Sequence, residues 1–173
     1  MVYDTIILGA GAAGMMCATQ SGGRTLVIDH AKAPGAKIRI SGGGRCNFTN
    51  MYADASAFLS QNPHFCKSAL ARYTQWDFIA MVDAHGIPWH EKTLGQLFCD
   101  GSARQIVAML VDEMTRAGAE LWLNTSVEAV TQARDGFRLR LNREGATRNL
   151  SCCNLVLATG GKSIPKMGAT GLA

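Results

Sequence analysis

Leu8-Gly9-Ala10-Gly11-Ala12-Ala13-Gly14 is the stretch of sequence that decides the fold. It follows an apolar strand predicted over residues 3–8 and opens a helix predicted over residues 12–21. At this spacing the first glycine permits a tight turn, the second lets the backbone approach a pyrophosphate, and the third lets the helix pack close to the strand. Backbone N–H groups and the helix dipole attract anions at such a turn. The stretch therefore predicts a dinucleotide-binding site.

An acidic residue stands at the end of the next strand. Residues 25–28 predict a second strand parallel to the first, and Asp29 follows Gly9 by 20 positions. A carboxylate at this place can accept hydrogen bonds from both hydroxyls of a ribose, and it repels a 2'-phosphate. A surface aspartate at a strand end is the alternative. His30 is a candidate contact to adenine or ribose, with a solvent-exposed histidine as the preferred explanation.

A second glycine cluster lies within residues 30–52, which the sequence predicts to be one long loop. Its segment Ser41-Gly42-Gly43-Gly44-Arg45-Cys46-Asn47 combines glycines, which allow close backbone approach, with side chains that donate hydrogen bonds. A flexible linker is the alternative, but the flanking apolar residues Ile38, Ile40 and Phe48 favour a folded binding loop.

The middle of the chain predicts an inserted, mainly helical region. Residues 53–84 have a helical pattern, with Asn62-Pro63 as an N-cap and first-turn proline. Two short strands are predicted over residues 87–91 and 96–99. A helix follows up to residue 116, opened by a capping box of Ser102 and Gln105 and ended by Gly118.

The last part predicts a three-stranded antiparallel meander. After a strand at residues 121–123, alternating segments cover residues 127–131, 137–141 and 148–152, with turns between them. A separate apolar strand over residues 154–158 then leads into Thr159-Gly160-Gly161. Five arginines lie along the meander, and a solvated face is the preferred interpretation of this run: Arg134, Arg138, Arg140, Arg143 and Arg148.

Composition and charge exclude several classes of protein. The 173 residues are 47% hydrophobic, enough for a sizeable core, and contain neither a long apolar run nor a basic leader, which argues against membrane insertion and export. The net charge of +4 is accounted for by four Lys and Arg between residues 30 and 50, a pattern that suits a bound phosphate better than a nucleic acid. Six cysteines without a C-x-x-C pair predict a reduced, cytoplasmic setting, and neither they nor the histidines predict a metal site.

The motifs resemble the BaiN-like, or aminoacetone-oxidase-like, family of NAD(P)/FAD-dependent oxidoreductases. The resemblance rests on three stretches, of which the second is the most specific: residues 4–14, the SGGGRCNFTN of residues 41–50, and Ala158-Thr159-Gly160-Gly161-Lys162-Ser163 with Gly168-Ala169-Thr170-Gly171. It implies an α/β, Rossmann-like FAD-binding domain of the glutathione reductase type, a parallel sheet with the meander as crossover. It also implies a truncated chain, in which residues 1–173 are the N-terminal part with a helical insertion near 53–100 and the meander near 126–153, and a substrate domain and a C-terminal FAD segment are missing.

The resemblance also assigns roles to particular residues. It places the pyrophosphate at Gly9, Gly11, Ala12, Ala13 and Gly14, and the adenosine ribose at Asp29, where the family usually has glutamate. Lys37 would help to neutralise phosphate, and the flavin would lie against Ser41, Gly42, Gly43, Arg45, Cys46 and Asn47. The backbone of Val127 would meet the adenine, and Thr159, Gly160 and Gly161 would close over the cofactor.

The function expected from these features is flavin chemistry. FAD would exchange hydride at N5 between a reduced nicotinamide, NAD(P)H, and a small organic substrate, and no protein acid or base is assigned. Cys46 beside Arg45 raises the hypothesis of a thiol with a lowered pKa, although no resolving cysteine lies nearby in sequence. The alternatives are an NAD-binding dehydrogenase module, and a non-catalytic or RNA-binding flavoprotein suggested by the arginine-rich meander.

Overall fold

A computed structural model describes residues 2–161 of the chain, which fold into two structural units. Within that range, the first unit comprises residues 2–37 and 110–161 and the second comprises residues 38–109. The predicted motifs at Lys162-Ser163 and at residues 168–171 lie outside the described residues. No helix within residues 2–161 is both long enough and apolar enough to cross a membrane.

The first unit is built on a six-stranded sheet. Its strands are β1 (Val2–Leu8), β2 (Thr25–Ile28), β6 (Glu120–Trp122), β7 (Thr125–Ala133), β8 (Gly136–Arg143) and β9 (Ala146–Leu157), in the spatial order β6-β2-β1-β9-β8-β7. Helix α1 (Ala12–Gln20) connects β1 to β2, which pair in parallel. Strands β7, β8 and β9 form the antiparallel meander. The predicted Rossmann-like α/β fold with a meander crossover is confirmed.

Strand β9 differs from the prediction. Residues 148–152 and 154–158 were predicted as two strands, but the structure has one strand of 12 residues. Its residues 146–152 pair antiparallel with β8, and residues 151–157 pair parallel with β1. One uninterrupted strand therefore joins the meander to the parallel sheet, and the neighbour that it pairs with changes near Ser151.

The core of the first unit is formed by side chains of both the parallel strands and the meander. Tyr3, Ile6 and Leu8 from β1 and Leu26 and Ile28 from β2 pack with the inward residues of β8 and β9, which are Leu139, Leu141, Leu150 and Cys152. Burial of apolar side chains at alternate positions of β8 fixes which face of the meander is inward. The intervening residues Arg138 and Arg140 are exposed.

The second unit contains a small antiparallel sheet and several helices. Its strands are β3 (Asn47–Asn50), β4 (Trp89–Glu91) and β5 (Gln96–Cys99), in the order β3-β5-β4. Its helices are α3 (Lys67–Arg72) and α4 (Gln75–Ala84). Helix α2 (Ala36–Ile40) and helix α5 (Ala103–Arg116) each contain a boundary between the two units.

Two predictions for this region are wrong. The segment 30–52 is not one loop, because it contains α2, a 3₁₀ turn over Ser41–Gly44 and β3. Asn62-Pro63 does not start a helix, because α3 begins only at Lys67. In contrast, the capping pair before α5 is present, since the backbone N–H of Ser102 donates to Oε1 of Gln105 at 3.1 Å and the Arg104 N–H donates to Oγ of Ser102 at 3.2 Å.

Candidate functional site

Gly9 and Gly14 hold the turn between β1 and α1 together. Gly9 has a φ of 111°, and a Cβ there would collide with the carbonyl group of Ala158. A Cβ on Gly14 would collide with the carbonyl oxygen of Gly9. The first glycine therefore permits the turn and the third permits helix and strand to approach, as the sequence predicts.

Gly11 has a different environment. It is the N-cap of α1 with an ordinary φ of −84°, and a Cβ built on it would meet no atom within 4 Å among the described residues. The residues that follow it, Ala12 and Ala13, are exposed. The first N–H groups of a helix have no intrahelical acceptor, so they are available to an anion here. This surface fits a pyrophosphate, which needs close access to backbone N–H groups.

Asp29 connects the end of β2 to the glycine turn. Its Oδ2 accepts a hydrogen bond from the backbone N–H of Ala10 at 2.7 Å, and its Oδ1 accepts one from the N–H of Ala31 at 2.9 Å. Each carboxylate oxygen can accept more than one hydrogen bond, so a ribose hydroxyl still finds an acceptor. The Nδ1 atom of His30 lies 3.5 Å from Oδ1 of Asp29, and the His30 side chain is 64% exposed.

A groove of about 570 Å³ brings several of the predicted cofactor residues together within the first unit. Gly9, Asp29, His30, Val127 and Thr159 all line it. The groove runs past the ends of β1 and β2 along the start of β7, at the carboxyl edge of the parallel sheet. Ligands of open α/β sheets bind at this edge. The site has the position and lining expected for an adenosine half of a dinucleotide.

Sequence reasoning missed other residues of this groove. Thr125, Ser126 and Glu128 also line it. The Thr125 side chain is buried, its Oγ1 donates to the carbonyl of Leu123 at 2.9 Å, and its N–H donates to the carbonyl of Asp29 at 3.0 Å. The signal was present in the sequence, because Thr125-Ser126 comes shortly after the strand predicted over residues 121–123, which the structure pairs in parallel with β2, and polar residues after such a strand face the ligand edge.

Lys37 and the glycines after β9 also lie together in the first unit. The Nζ atom of Lys37 donates to the carbonyl oxygen of Gly161 at 2.7 Å. A Cβ on Gly160 would lie 3.4 Å from the same Nζ atom. The positive charge of Lys37 is thus held beside the segment that leaves β9. Whether it neutralises a phosphate stays a prediction.

The second glycine cluster adopts a tight turn in the second unit. Gly42, Gly43 and Gly44 have φ values of 55°, 67° and 88°, and a Cβ on Gly42 would lie 2.6 Å from the Phe98 ring. The N–H of Cys46 donates to the carbonyl of Ser41 at 3.1 Å, and the N–H of Cys99 donates to the carbonyl of Arg45 at 3.0 Å. The turn is therefore a folded element and not a linker. Contact of Ser41, Gly42, Gly43, Arg45, Cys46 and Asn47 with a flavin stays a prediction.

Cys46 does not have the properties of an activated thiol. It is buried, and burial raises the pKa of its thiol, although a hydrogen bond with Ser41 acts in the opposite direction. The hypothesis of a lowered pKa beside Arg45 is therefore wrong, because the side chain points into the unit and away from water. Its neighbour Cys99 is also buried. Burial and the nearby Cys46 and Asp100 groups raise the pKa of Cys99 to about 11.

Comparison with known proteins places this chain in a family. A family model described as the HI0933-like protein Rossmann domain matches residues 3–173. Among solved structures, 3-ketosteroid-delta4-(5alpha)-dehydrogenase from Rhodococcus jostii RHA1 is similar with a TM-score of 0.67 and 15% sequence identity, over 92% of this chain and 46% of that one. The fold is thus one that oxidoreductases use.

Relatives in sequence carry more specific names. The chain is 60% identical over 171 residues to the ribosomal RNA dihydrouridine synthase of Escherichia coli (strain K12), covering 97% of this chain and 42% of that protein. It is 25% identical over 172 residues to the 3-dehydro-bile acid delta(4,6)-reductase of Clostridium scindens, covering 95% of this chain and 41% of that protein. The chain spans about four tenths of the length of these relatives.

These findings confirm the resemblance at the level of a Rossmann domain. They do not support the narrower BaiN-like assignment, because a relative at 60% identity carries the name of an RNA-modifying enzyme.

Proposed function

This chain belongs to the HI0933-like family of Rossmann domains, and from that premise we propose that it is the FAD-binding portion of a flavin-dependent oxidoreductase. The observation that carries the proposal is the groove beside Gly9 and Asp29, together with the open backbone surface at Gly11. The proposal assigns the pyrophosphate to Gly11, Ala12 and Ala13, and the adenosine to the groove.

The meander favours FAD over a simple NAD-binding module. The chain passes from β6 to β9 through the antiparallel strands β7 and β8, where simpler dinucleotide folds have a helix. Val127 and Glu128 at the start of β7 contribute directly to the groove wall. The crossover is therefore part of the proposed adenosine site.

We further propose that the whole protein reduces uridine in ribosomal RNA. The support is the 60% identity to a ribosomal RNA dihydrouridine synthase over 97% of this chain. Dihydrouridine is uridine in which the C5–C6 double bond carries two more hydrogen atoms, so its formation needs a hydride and a proton. A bound reduced flavin supplies hydride, and NAD(P)H is the proposed source of electrons. The same substrate would place the reaction in the cytoplasm.

This proposal replaces the expectation that nucleic acid is not a partner. That expectation rested on the concentration of positive charge between residues 30 and 50. It did not take the arginines of the meander as evidence for RNA binding, although the alternative of an RNA-binding flavoprotein was based on them. The identity to an RNA-modifying relative now favours that alternative, in a catalytic form.

The cofactor is tested on the purified protein. We expect the visible absorption bands of a flavin, and release of FAD, not FMN, on denaturation. A protein that carries no flavin and does not bind added FAD would contradict the proposal.

The substrate is tested separately on flavin-loaded protein. Ribosomal RNA from cells that lack the corresponding gene is incubated with the protein and NADPH or NADH, and its nucleosides are analysed by mass spectrometry. We expect dihydrouridine at a defined position, and none without the nicotinamide. A flavin-loaded protein that leaves the RNA unchanged, yet oxidises the nicotinamide with a small organic acceptor, would retain the cofactor assignment and overturn the RNA substrate.

A further inference from the structure

The meander carries a set of arginines that the proposed cofactor site does not use. Leu139 and Leu141 of β8 are buried, so Arg138 and Arg140 between them point to the opposite, exposed face. Arg143 ends β8, and Arg148 lies opposite Leu141 in the exposed first part of β9, so by alternation both belong to the other face of the meander, the one that carries Leu139 and Leu141. We call Arg138, Arg140, Arg143 and Arg148 the arginine ribbon.

Neutral polar side chains accompany the arginine ribbon. In the strand register Asn149 is opposite Arg140, while Ser151 and Thr131 are opposite Arg138 on its two sides. These residues line a shallow groove of about 360 Å³ with Arg138 and Arg140. Arginine, asparagine, serine and threonine are the side chains that donate hydrogen bonds to phosphate and sugar oxygens.

A second groove of about 500 Å³ adjoins the first and contains an aromatic ring. Trp122, Arg143, Thr147 and Arg148 line it, and Asn149 lines both grooves. The guanidinium carbon of Arg143 lies 4.4 Å from the centre of the Trp122 ring. An arginine beside an aromatic ring is the combination on which unpaired bases stack.

The free edge of β9 connects the two grooves. Residues 146–150 pair with β8 but precede the part of β9 that pairs with β1, and residues 146–149 are all exposed. In the described part of the chain, that stretch therefore has a solvent-facing edge with Arg148 on it. A chain could pass around this edge from one groove to the other.

Charge distinguishes this surface from an ordinary solvated face. Within residues 2–161, Arg140 is paired with Glu128 at 3.1 Å, whereas no carboxylate is within ion-pair distance of Arg138, Arg143 or Arg148. Guanidinium groups without a carboxylate partner retain their full affinity for phosphate.

We propose that the arginine ribbon and Trp122 form a binding surface for single-stranded RNA. The arginines contact the phosphate backbone, and an unpaired base stacks on the Arg143 guanidinium that lies over the Trp122 ring, so the surface holds a flexible or looped RNA segment better than a duplex. This inference rests on the proposed function, because that function supplies RNA as the substrate.

The test measures RNA affinity of the purified protein by fluorescence anisotropy, with a fluorescein-labelled single-stranded RNA of about 15 nucleotides. The variants are Arg138→Gln and Arg148→Gln, one for each groove, and their combination. Arg134→Gln is the matched control, because Arg134 is an exposed arginine of the same meander that lines neither groove. All three substituted positions are exposed, so the folded state should persist, and melting curves check this.

We expect each single variant to weaken binding about fivefold to tenfold, and the salt dependence of log Kd to fall by about 0.7 per arginine, or about 1.4 in the double variant. The control should bind within about twofold of the parent protein. A duplex RNA of equal length should bind more weakly than the single strand. Equal affinities for variants and control, or tighter binding of the duplex, would overturn the inference.

Flavin content separates this inference from the proposed function. The substituted arginines lie outside the cofactor groove, so every variant should contain as much FAD as the parent protein. A protein without FAD that still binds RNA through the arginine ribbon would contradict the proposed function and support the surface. If the flavin-loaded parent and the double variant form dihydrouridine equally well and bind RNA with equal affinity, the proposed function is supported and the arginine surface is contradicted.

Discussion

At the scale of single residues, the three glycines of the β1–α1 turn predict two different kinds of result for the same substitution. Gly11→Ala adds a methyl group where no described atom lies within 4 Å, at a φ that alanine adopts readily. Gly14→Ala adds it against the carbonyl oxygen of Gly9, and Gly9→Ala places it against Ala158 at a positive φ. The first change should lower the affinity for the ligand, and the other two should lower the stability of the fold.

We expect Gly11→Ala to change the free energy of unfolding by less than about 0.5 kcal/mol and to weaken FAD binding about tenfold or more. Gly14→Ala should lower the free energy of unfolding by about 1–3 kcal/mol, because neither backbone segment can move aside without disturbing the sheet. Urea denaturation and FAD titration measure the two effects. Normal FAD affinity in a stable Gly11→Ala protein would show that the pyrophosphate does not lie there.

Cys99 predicts a loss of stability at high pH. Its pKa in the folded protein is about 11, above the ordinary value of 9.0, so the folded state favours the neutral thiol. Above pH 9 the unfolded chain releases this proton and the folded protein does not, which stabilises the unfolded state progressively until about pH 11. The contribution of this thiol is therefore complete below about pH 9 and is lost above it.

We expect the urea midpoint of the parent protein to fall more steeply between pH 9 and pH 11 than that of Cys99→Ala. Cys153→Ala is the control, because Cys153 is exposed and should retain the steep fall. Parallel curves for the parent and Cys99→Ala would show that the thiol is not protected from ionisation.

At the scale of the elements, β8 shows how alternation separates stability from binding. Leu141 is fully buried, and its replacement by alanine should lower the free energy of unfolding by about 2–5 kcal/mol. Arg138→Ala on the other face of the same strand should change it by less than about 0.5 kcal/mol. Chemical denaturation compares the free energies of unfolding of the two variants. Equal losses would mean that Leu141 does not lie on the buried face of β8.

The elements that sequence could predict are those with a repeating apolar pattern. Strand β1, helix α1 and strand β2 were predicted closely because their apolar runs are separated by glycines. The start of α3 was wrong because Phe58, Leu59 and Phe65 around Asn62-Pro63 are exposed, so no apolar periodicity marks that segment. The continuity of β9 was missed because its pattern changes from alternating in the meander to continuous beside β1, which resembles two strands.

The candidate site could be predicted at those residues whose role follows from a local sequence motif. The glycine turn and the acid at the end of β2 follow such rules, and the structure brings Gly9 and Asp29 to one groove. The hydrogen bonds of Asp29 to Ala10 and Ala31 could not be predicted, since they depend on how the loop after β2 returns to the turn. The positive φ of Cys46, 55°, is likewise set by the packing of the second unit.

At the scale of the whole molecule, ligand binding should appear as thermal stability. A ligand at about 100 times its Kd stabilises the folded state by about 2.7 kcal/mol, which for a chain of this size raises Tm by about 5–10 °C. We expect this rise with FAD, and a smaller rise with ADP, which contains only the adenosine and pyrophosphate parts. NADP⁺ should produce little change, because the Asp29 carboxylate repels its 2'-phosphate.

Differential scanning fluorimetry measures these shifts. Gly11→Ala is the control, and its rise with FAD at the same concentration should be about half that of the parent or less, since tenfold weaker binding leaves about 1.4 kcal/mol of stabilisation. ADP should also compete with FAD in a titration. A rise with NADP⁺ equal to that with FAD would contradict the assignment of the groove to an unphosphorylated ribose.

The path of β9 has a consequence for folding during synthesis on the ribosome. Strand β1 can pair with β2 soon after both are synthesised. The part of β9 that pairs with the other edge of β1 begins at Ser151, about 150 residues later. At about 5–20 residues per second, the nascent chain waits about 8–30 s with one edge of β1 uncovered. That edge includes Ile6 and Ile7, whose unpaired backbone groups invite association with other strands. Translation speed between β1 and β9 therefore sets how long this edge of β1 stays uncovered.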